Sequence, residues 1–326
     1  MFSVMVSDAS QVAEARQRAS AAATASGFDA VRTGQVALAA TELATNLIKH
    51  GGGGQLLVNA DDKRMDLLAL DRGAGMADIE ACLADGYSTA GTRGNGLGAV
   101  RRLAHEFEVV SWPGRGTAIL AAISCGTTPS DSPIGPSAVV IAKHGEIAAG
   151  DAWSSFVDRA GVTLFVVDGL GHGTEAAVAA NAAVSQFEQS RDESPTAIVG
   201  AVHRAMRHTR GGAVAVARID WDSATVTFVG IGNIAGLVVD ATGLMRRMVS
   251  HNGIAGHNAR RIQAFEYPCP AGLLIMHSDG IATSWTLDRY PGLLNAHPLL
   301  IAGVLYRDFS REQDDAAMVV ARTQPA

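Results

Sequence analysis

Four aspartates in the second half of this 326-residue chain stand where metal ligands stand. Asp151 follows Gly150, Asp168 sits in Val166-Val167-Asp168-Gly169, Asp279 sits in Ser278-Asp279-Gly280, and Asp314 begins the pair Asp314-Asp315. Asp168 and Asp279 close apolar runs, and Asp314 stands just before one. A carboxylate at the end of a buried strand is costly unless its charge is compensated, and a pair of hard divalent cations compensates four together. One strand-end aspartate is commonly a turn or cap residue. Four in separate segments point instead to a dinuclear site. The glycines after Asp168 permit a tight turn and leave the Gly169 carbonyl free to act as a ligand. Two such metals, about 3.5 to 4 Å apart, activate a water that attacks a phosphate in line with its leaving group. No protein nucleophile is then needed, and no Cys-x5-Arg motif is present. His172 lies in the same turn, open to an acid role or a structural one. Arg210 could recruit a phosphoserine or simply face solvent.

The first half carries a second constellation. Glu42 and Asn46 are four apart and share one face of a helix over 34–50, beside the apolar stripe Val36, Ala40, Leu43 and Leu47. The amide suits a hydrated magnesium ion, and the carboxylate can orient or deprotonate a nucleophile. Asp71 follows a strand, in reach of an adenine amino group, and Gly73 and Gly75 let the backbone approach the base. Gly91 to Gly98, with Gly94 and Gly96 between them, opens a helix whose N-terminus attracts phosphate. Thr117 begins the last strand, where its hydroxyl reaches the base region.

Two bodies must position these groups. Cys125 to Ser137, CGTTPSDSPIGPS, has no helix or strand period. It implies domains over 1–124 and 137–326 joined by a linker over 125–136. The pattern of the first half predicts helices over 9–25 and 34–50, strands over 55–60 and 65–70, short helices over 77–84 and 96–105, and a hairpin over 106–123. The second half predicts strands over 137–142, 162–167, 213–219, 224–230, 235–239, 260–266, 272–276 and 316–321, with helices over 173–190, 195–208 and 296–307. Sheets covered by helices fit that order, and a doubly wound parallel fold does not.

Composition narrows the class further. Hydrophobic residues make up 48% of the chain and charged residues 18%, which is globular. No apolar run is long enough to span a membrane, and the N-terminus has no signal-peptide pattern. The net charge of -6 and the lack of a basic stripe argue against nucleic acid as a partner. Cys82, Cys125 and Cys269 form no Cys-x-x-Cys, which favours a reducing cytoplasm.

The segments TELATNLIKHGGGG, DRGAGMADIEACLADGYSTAG and GNGLGAVRRLAHEFEVVSWPGRGT resemble the GHKL ATP-binding fold, and within it the RsbT-like serine kinases. The segments GDAW, FVVDGLGHGTEAA, RGGAVAVARID, GIGNIAG, LIMHSDGI and DDAAMVVAR resemble the SpoIIE and RsbX branch of the PPM-type phosphatases. The resemblance implies an α+β chain: a GHKL (Bergerat) α/β sandwich followed by a PPM-type αββα sandwich. It implies Glu42 as base, Asn46 as magnesium ligand and Asp71 as adenine ligand. Gly73 and Gly75 would shape the pocket, Gly94, Gly96 and Gly98 the lid, and Thr117 the base wall. In the second half Asp168 would bridge two Mn2+ or Mg2+ ions, with Asp151 and the Gly169 carbonyl on one and Asp279 and Asp314 on the other. Asp315 would only fix a strand start. The expected function is a cytoplasmic stress regulator that uses ATP to phosphorylate a STAS-domain protein or anti-sigma antagonist and also removes phosphate from serine or threonine. Two alternatives stand beside it: a phosphatase gated by a non-catalytic ATP sensor, and an anti-sigma-like protein that sequesters its partner.

Overall fold

The first strand, Phe2–Val6 (β1), is followed by Asp8, which caps the start of the first helix, Ala9–Ala25 (α1). The Asp8 carboxylate accepts from the Ser10 and Gln11 N–H groups, and the Gln11 side chain accepts from the Asp8 N–H. This reciprocal cap satisfies donors that the first turn would otherwise leave open. The computed structural model describes residues 1–61, 64–83, 96–126, 135–311 and 313–324. It divides into two compact units, Met1–Ser132 and Pro133–Ala326.

In the first unit Ala30–Lys49 (α2) follows α1, and then come Gly54–Ala60 (β2), Arg64–Asp71 (β3), Ile79–Leu83 (α3), Gly96–Leu103 (α4), Glu106–Ser111 (β4) and Thr117–Ser124 (β5). The five strands form one antiparallel sheet in the order β1-β2-β3-β5-β4. Ala15, Ala19 and Ala23 of α1 meet Val36, Ala40, Leu43 and Leu47 of α2 over Leu56, Val58, Leu67 and Ile119 of the sheet. The alanines are small enough to bring two helices and a sheet together around one core. The helix α2 starts at Ala30, earlier than the apolar stripe indicates, because the Asp29 carboxylate caps it at the Arg32 N–H.

The second unit runs Ser137–Ile141 (β6), Asp151–Val157 (β7), Gly161–Gly169 (β8), Thr174–Ser190 (α5), Pro195–Ala205 (α6), Gly212–Asp220 (β9), Thr225–Ile231 (β10), Ala235–Asp240 (β11), Met245–Arg247 (β12), Phe265–Pro268 (β13), Gly272–His277 (β14), Pro298–Phe309 (α7) and Ala316–Arg322 (β15). Two five-stranded antiparallel sheets result, β13-β10-β9-β8-β7 and β12-β11-β14-β15-β6. Leu164 and Val166 of β8 and Ala217 and Ile219 of β9 share one apolar core with Leu274 and Met276 of β14 and Val319 of β15. Phe165, Val167, Val214 and Val216 point the other way, into α5 and α6, where Phe165 stacks on Phe187 with ring centroids 5.1 Å apart. The period-2 alternation of β8 and β9 thus feeds two cores. The helix α7 packs on β15 and β6. Helices therefore cover both sheets, and the layers are α, β, β, α.

Three strands are absent from the sequence-based expectations: β1, β7 and β12. A fourth is displaced, since the run expected over 260–266 is extended only at Phe265–Pro268, where it pairs with β10. No described helix is long and apolar enough to cross a membrane.

Candidate functional site

In the first unit the end of α2 turns at Gly51–Gly52 and lies against the end of β3. A side-chain carbon on Gly51 would stand 2.6 Å from the Asp71 Cβ, and one on Gly73 would stand 2.5 Å from the His50 carbonyl oxygen. The Asp71 carboxylate accepts from the Gly73 N–H at 2.8 Å and from the Thr117 N–H at 3.2 Å. That ties strand β3, its glycine turn and the start of β5 into one cradle. The Thr117 hydroxyl is 2.9 Å from the Ser111 hydroxyl, and Ser111 in turn accepts from the Met76 N–H. Gly75 has a φ of 70° and approaches the Trp112 carbonyl so closely that any side chain would collide with it.

Glu42 and Asn46 lie on the exposed side of the α2 stripe, both half-buried. Gly96, the first residue of α4, faces Glu42: an added carbon there would lie 2.6 Å from the Glu42 Oε2. Gly98 is buried in the same helix. The Asn46 amide nitrogen is buried and has no hydrogen-bond partner among the described residues. A buried amide without a partner is costly. Its two ends exchange by a half-turn, so the position can offer oxygen or N–H to a ligand. The donor set therefore fits a magnesium-bound nucleotide. Gly94 lies outside the described residues.

The second unit brings the aspartates together from both sheets. Asp151 opens β7 and pairs across the ladder with Asp168 near the end of β8. The Gly169 N–H donates to the Gly150 carbonyl at 2.9 Å. Asp279 lies just beyond β14, and its Oδ2 accepts from the Asn233 amide at 2.7 Å. Asp314 stands ahead of β15, and its Oδ1 accepts from the Asp315 N–H. Asp315 is structural. Its two oxygens accept from the Lys143 and Gly150 N–H groups, both at 2.8 Å. It thereby pins the segment that leads into Asp151.

Charge accumulates here. Burial, followed by Asp279, Asp314 and Asp315, pushes the Asp168 carboxyl up to about 7. Burial and then Asp168 push Asp151 well above the carboxylate range, although a hydrogen bond from Ser278 opposes this. Burial and then Asp314 raise Asp279, while Arg311 and Asn233 pull it back. Among the described residues no three of these side chains close on one point. They form an open group of mutually repelling oxygens whose charge a hard cation would neutralise. The all-oxygen donor set fits Mg2+ or Mn2+ and does not fit a thiolate or imidazole cage.

Two residues here, Ser278 and Asn233, were not assigned a role from the sequence. Ser278 donates to Asp151 Oδ2 at 2.5 Å and accepts from the Ala317 N–H at 3.0 Å. It links both sheets at the site, and its partners are too distant along the chain to leave a local signal. Asn233, 46 residues away in sequence, holds Asp279 directly through its side-chain amide. His172 pairs through Nδ1 with Glu146 at 2.6 Å, so its ring is tied to the 142–150 segment.

Residues 158–324, more than half of the chain, match the stage II sporulation protein E (SpoIIE) family. The chain belongs to the SpoIIE family. Residues 5–123 of this SpoIIE-family chain match the histidine kinase-like ATPase domain. Over 114 residues it is 36% identical to the serine/threonine-protein kinase RsbT of Bacillus subtilis (strain 168), covering 34% of this chain and 86% of RsbT. A solved chain of the bacterial stressosome, described as a modular system adapted to control secondary messenger signaling, is 30% identical. That match covers 58% of this chain and 98% of the other, with a TM-score of 0.53. RsbX in complex with magnesium shares the fold at 18% identity, over 60% of this chain and 98% of its own, with a TM-score of 0.50. This SpoIIE-family chain is thus an enzyme in which a SpoIIE-family phosphatase domain follows an RsbT-like, kinase-type ATP-binding domain.

Proposed function

We propose that the protein is a bifunctional, cytoplasmic regulator that adds phosphate to a STAS-type partner and removes it from serine or threonine. The observation that supports this reading is the fusion of an RsbT-like ATP-binding domain with a SpoIIE-family domain in one chain. Glu42, Asn46 and Asp71 frame one site, and Asp151, Asp168, Asp279 and Asp314 frame the other.

In the first site Asp71 accepts from the adenine amino group, with Gly73 and Gly75 giving the base room and Thr117 lining it. Asn46 would hold magnesium, Glu42 would accept the proton of the attacking hydroxyl, and the glycine-rich segment of Gly94, Gly96 and Gly98 would serve the phosphates. Phosphoryl transfer then depends mainly on positioning and charge neutralisation. In the second site Asp151, Asp168, Asp279 and Asp314, with the Gly169 carbonyl, would together hold two Mn2+ or Mg2+ ions. The metals, when bound, supply a water acidic enough to attack phosphate near neutral pH. Ser278 orients Asp151, and Asn233 orients Asp279. Similarity to RsbT and to a stressosome chain supports a partner-switching role.

Incubation with labelled ATP and a panel of STAS proteins from the same genome, with and without manganese, tests the whole reading. The expected result is label on one of them, removed when manganese is added. An ATP-dependent change in phosphatase rate with no labelled protein would instead make the first domain a sensor.

A further inference from the structure

Next to the carboxylate group lies a surface of opposite charge that the sequence does not reveal as one feature. The segment His203 to Arg210 reads HRAMRHTR, and the segment His251 to Arg261 reads HNGIAGHNARR; neither contains an acid. The two are remote in sequence but bonded in the fold. The Gly256 N–H donates to the His203 Nδ1 at 3.0 Å, the His257 Nε2 lies 3.1 Å from the Thr209 carbonyl, and Ala255 and Gly212 exchange backbone hydrogen bonds. Arg204, Arg207, Arg210, Arg260 and Arg261 are all exposed. Among the described residues only Arg210 has an acidic neighbour, Glu175, at a loose 3.9 Å. Burial first, and then Arg207, Arg204 and His257, lower the pKa of His203.

This ridge joins the metal-ligand turn directly. The Leu170 N–H donates to the Gly211 carbonyl, a carbon on Gly212 would stand 2.2 Å from the Asp168 carbonyl, and one on Gly171 would stand 3.3 Å from the Arg210 guanidinium. A molecule seated on the ridge therefore borders the Asp168 turn. Unpaired arginines held at the rim of an acidic site steer an anionic surface toward it.

We propose that this ridge docks an acidic face of the phosphorylated protein and presents its phosphoserine to the Asp168 group. The inference rests on the phosphatase reading. A protein is favoured over nucleic acid as the occupant because the chain as a whole is acidic, at a net charge of -6, and Arg210 at one end of the ridge lies against the turn after Asp168.

The test uses the full chain and two fluorescent phosphoserine peptides of equal length, one flanked by acidic residues and one by their amides, with a 20-mer oligonucleotide as competitor. Anisotropy should show about 10-fold tighter binding of the acidic peptide. That preference should vanish in R204E/R207E and in high salt, while manganese-dependent hydrolysis of p-nitrophenyl phosphate stays unchanged in the variant. Equal binding of both peptides, a preference that persists in R204E/R207E, or tighter binding of the oligonucleotide than of the acidic peptide would overturn the inference. An intact preference without any p-nitrophenyl phosphate hydrolysis by the unmodified protein would uphold the docking surface and refute the phosphatase reading.

Discussion

Glu42 and Asp71 should fail in different ways. Glu42→Ala removes the proposed base and leaves the proposed adenine cradle intact, so ATP binding should persist while phosphate transfer falls by ~10^2 to 10^4-fold. Isothermal titration together with a transfer assay separates the two, and transfer at the normal rate would remove Glu42 from its role. Asp71→Ala takes away the acceptor shared by the Gly73 and Thr117 N–H groups and should abolish ATP binding. Ser278→Ala should lower phosphatase activity or metal affinity by roughly 10- to 100-fold, because Ser278 orients Asp151 and does not itself carry the chemistry. An unchanged manganese titration would show that the bond to Asp151 is dispensable. The raised carboxyls also set a pH dependence. Asp168 holds its proton up to about 7 in the folded state, well above its value in an unfolded chain. The folded protein therefore binds more protons than the unfolded one across roughly pH 4 to 7, and this group's contribution to stability falls as pH rises through that window. Thermal melts in EDTA should give a lower melting temperature at pH 8 than at pH 5, with a smaller difference in Asp168→Asn. Manganese should shrink the difference, since it binds the ionised folded form. A melting temperature in EDTA that rises with pH to the same extent in both proteins would contradict this.

Elements explain which parts of the fold were legible. The helix α2 was readable because its apolar stripe has a 3.6 period, but its start was set by Asp29, outside that stripe. The strands β8 and β9 are rich in valine and alternate between two cores, so their apolar runs announced them. The strand β7, Asp-Ala-Trp-Ser-Ser-Phe-Val, sits at a sheet edge with a mostly half-buried pattern, and its serines carry no strand signal. Its place is set by pairing with β8, which is a long-range fact. For the same reason the four aspartates were legible by type, but their arrangement was not: the ladder that sets Asp151 opposite Asp168 and the bond from Ser278 exist only once both sheets form. The stack of Phe187 on Phe165 fastens α5 to β8. Both rings are fully buried, so Phe187→Ala should destabilise the second unit by about 3 to 5 kcal/mol. Chemical denaturation followed by tryptophan fluorescence measures this, and a loss below about 1 kcal/mol would mean that α5 is held by other contacts.

For the whole molecule, two units with separate cores sit in one chain, one RsbT-like and one of the SpoIIE family, and on the proposed reading each would serve a different half of a phosphorylation cycle. Fusion raises the effective concentration of one activity near the partner of the other. Everything then depends on oxygen atoms from two sheets gathering around divalent cations in the second unit. The most direct measurement is phosphate release from p-nitrophenyl phosphate by the purified full chain in manganese, in EDTA, and in an Asp168→Ala, Asp279→Ala double variant. Release that needs manganese, stops in EDTA and is lost in the double variant is the predicted result. Release by the double variant at the unmodified rate, or release indifferent to EDTA, would contradict it.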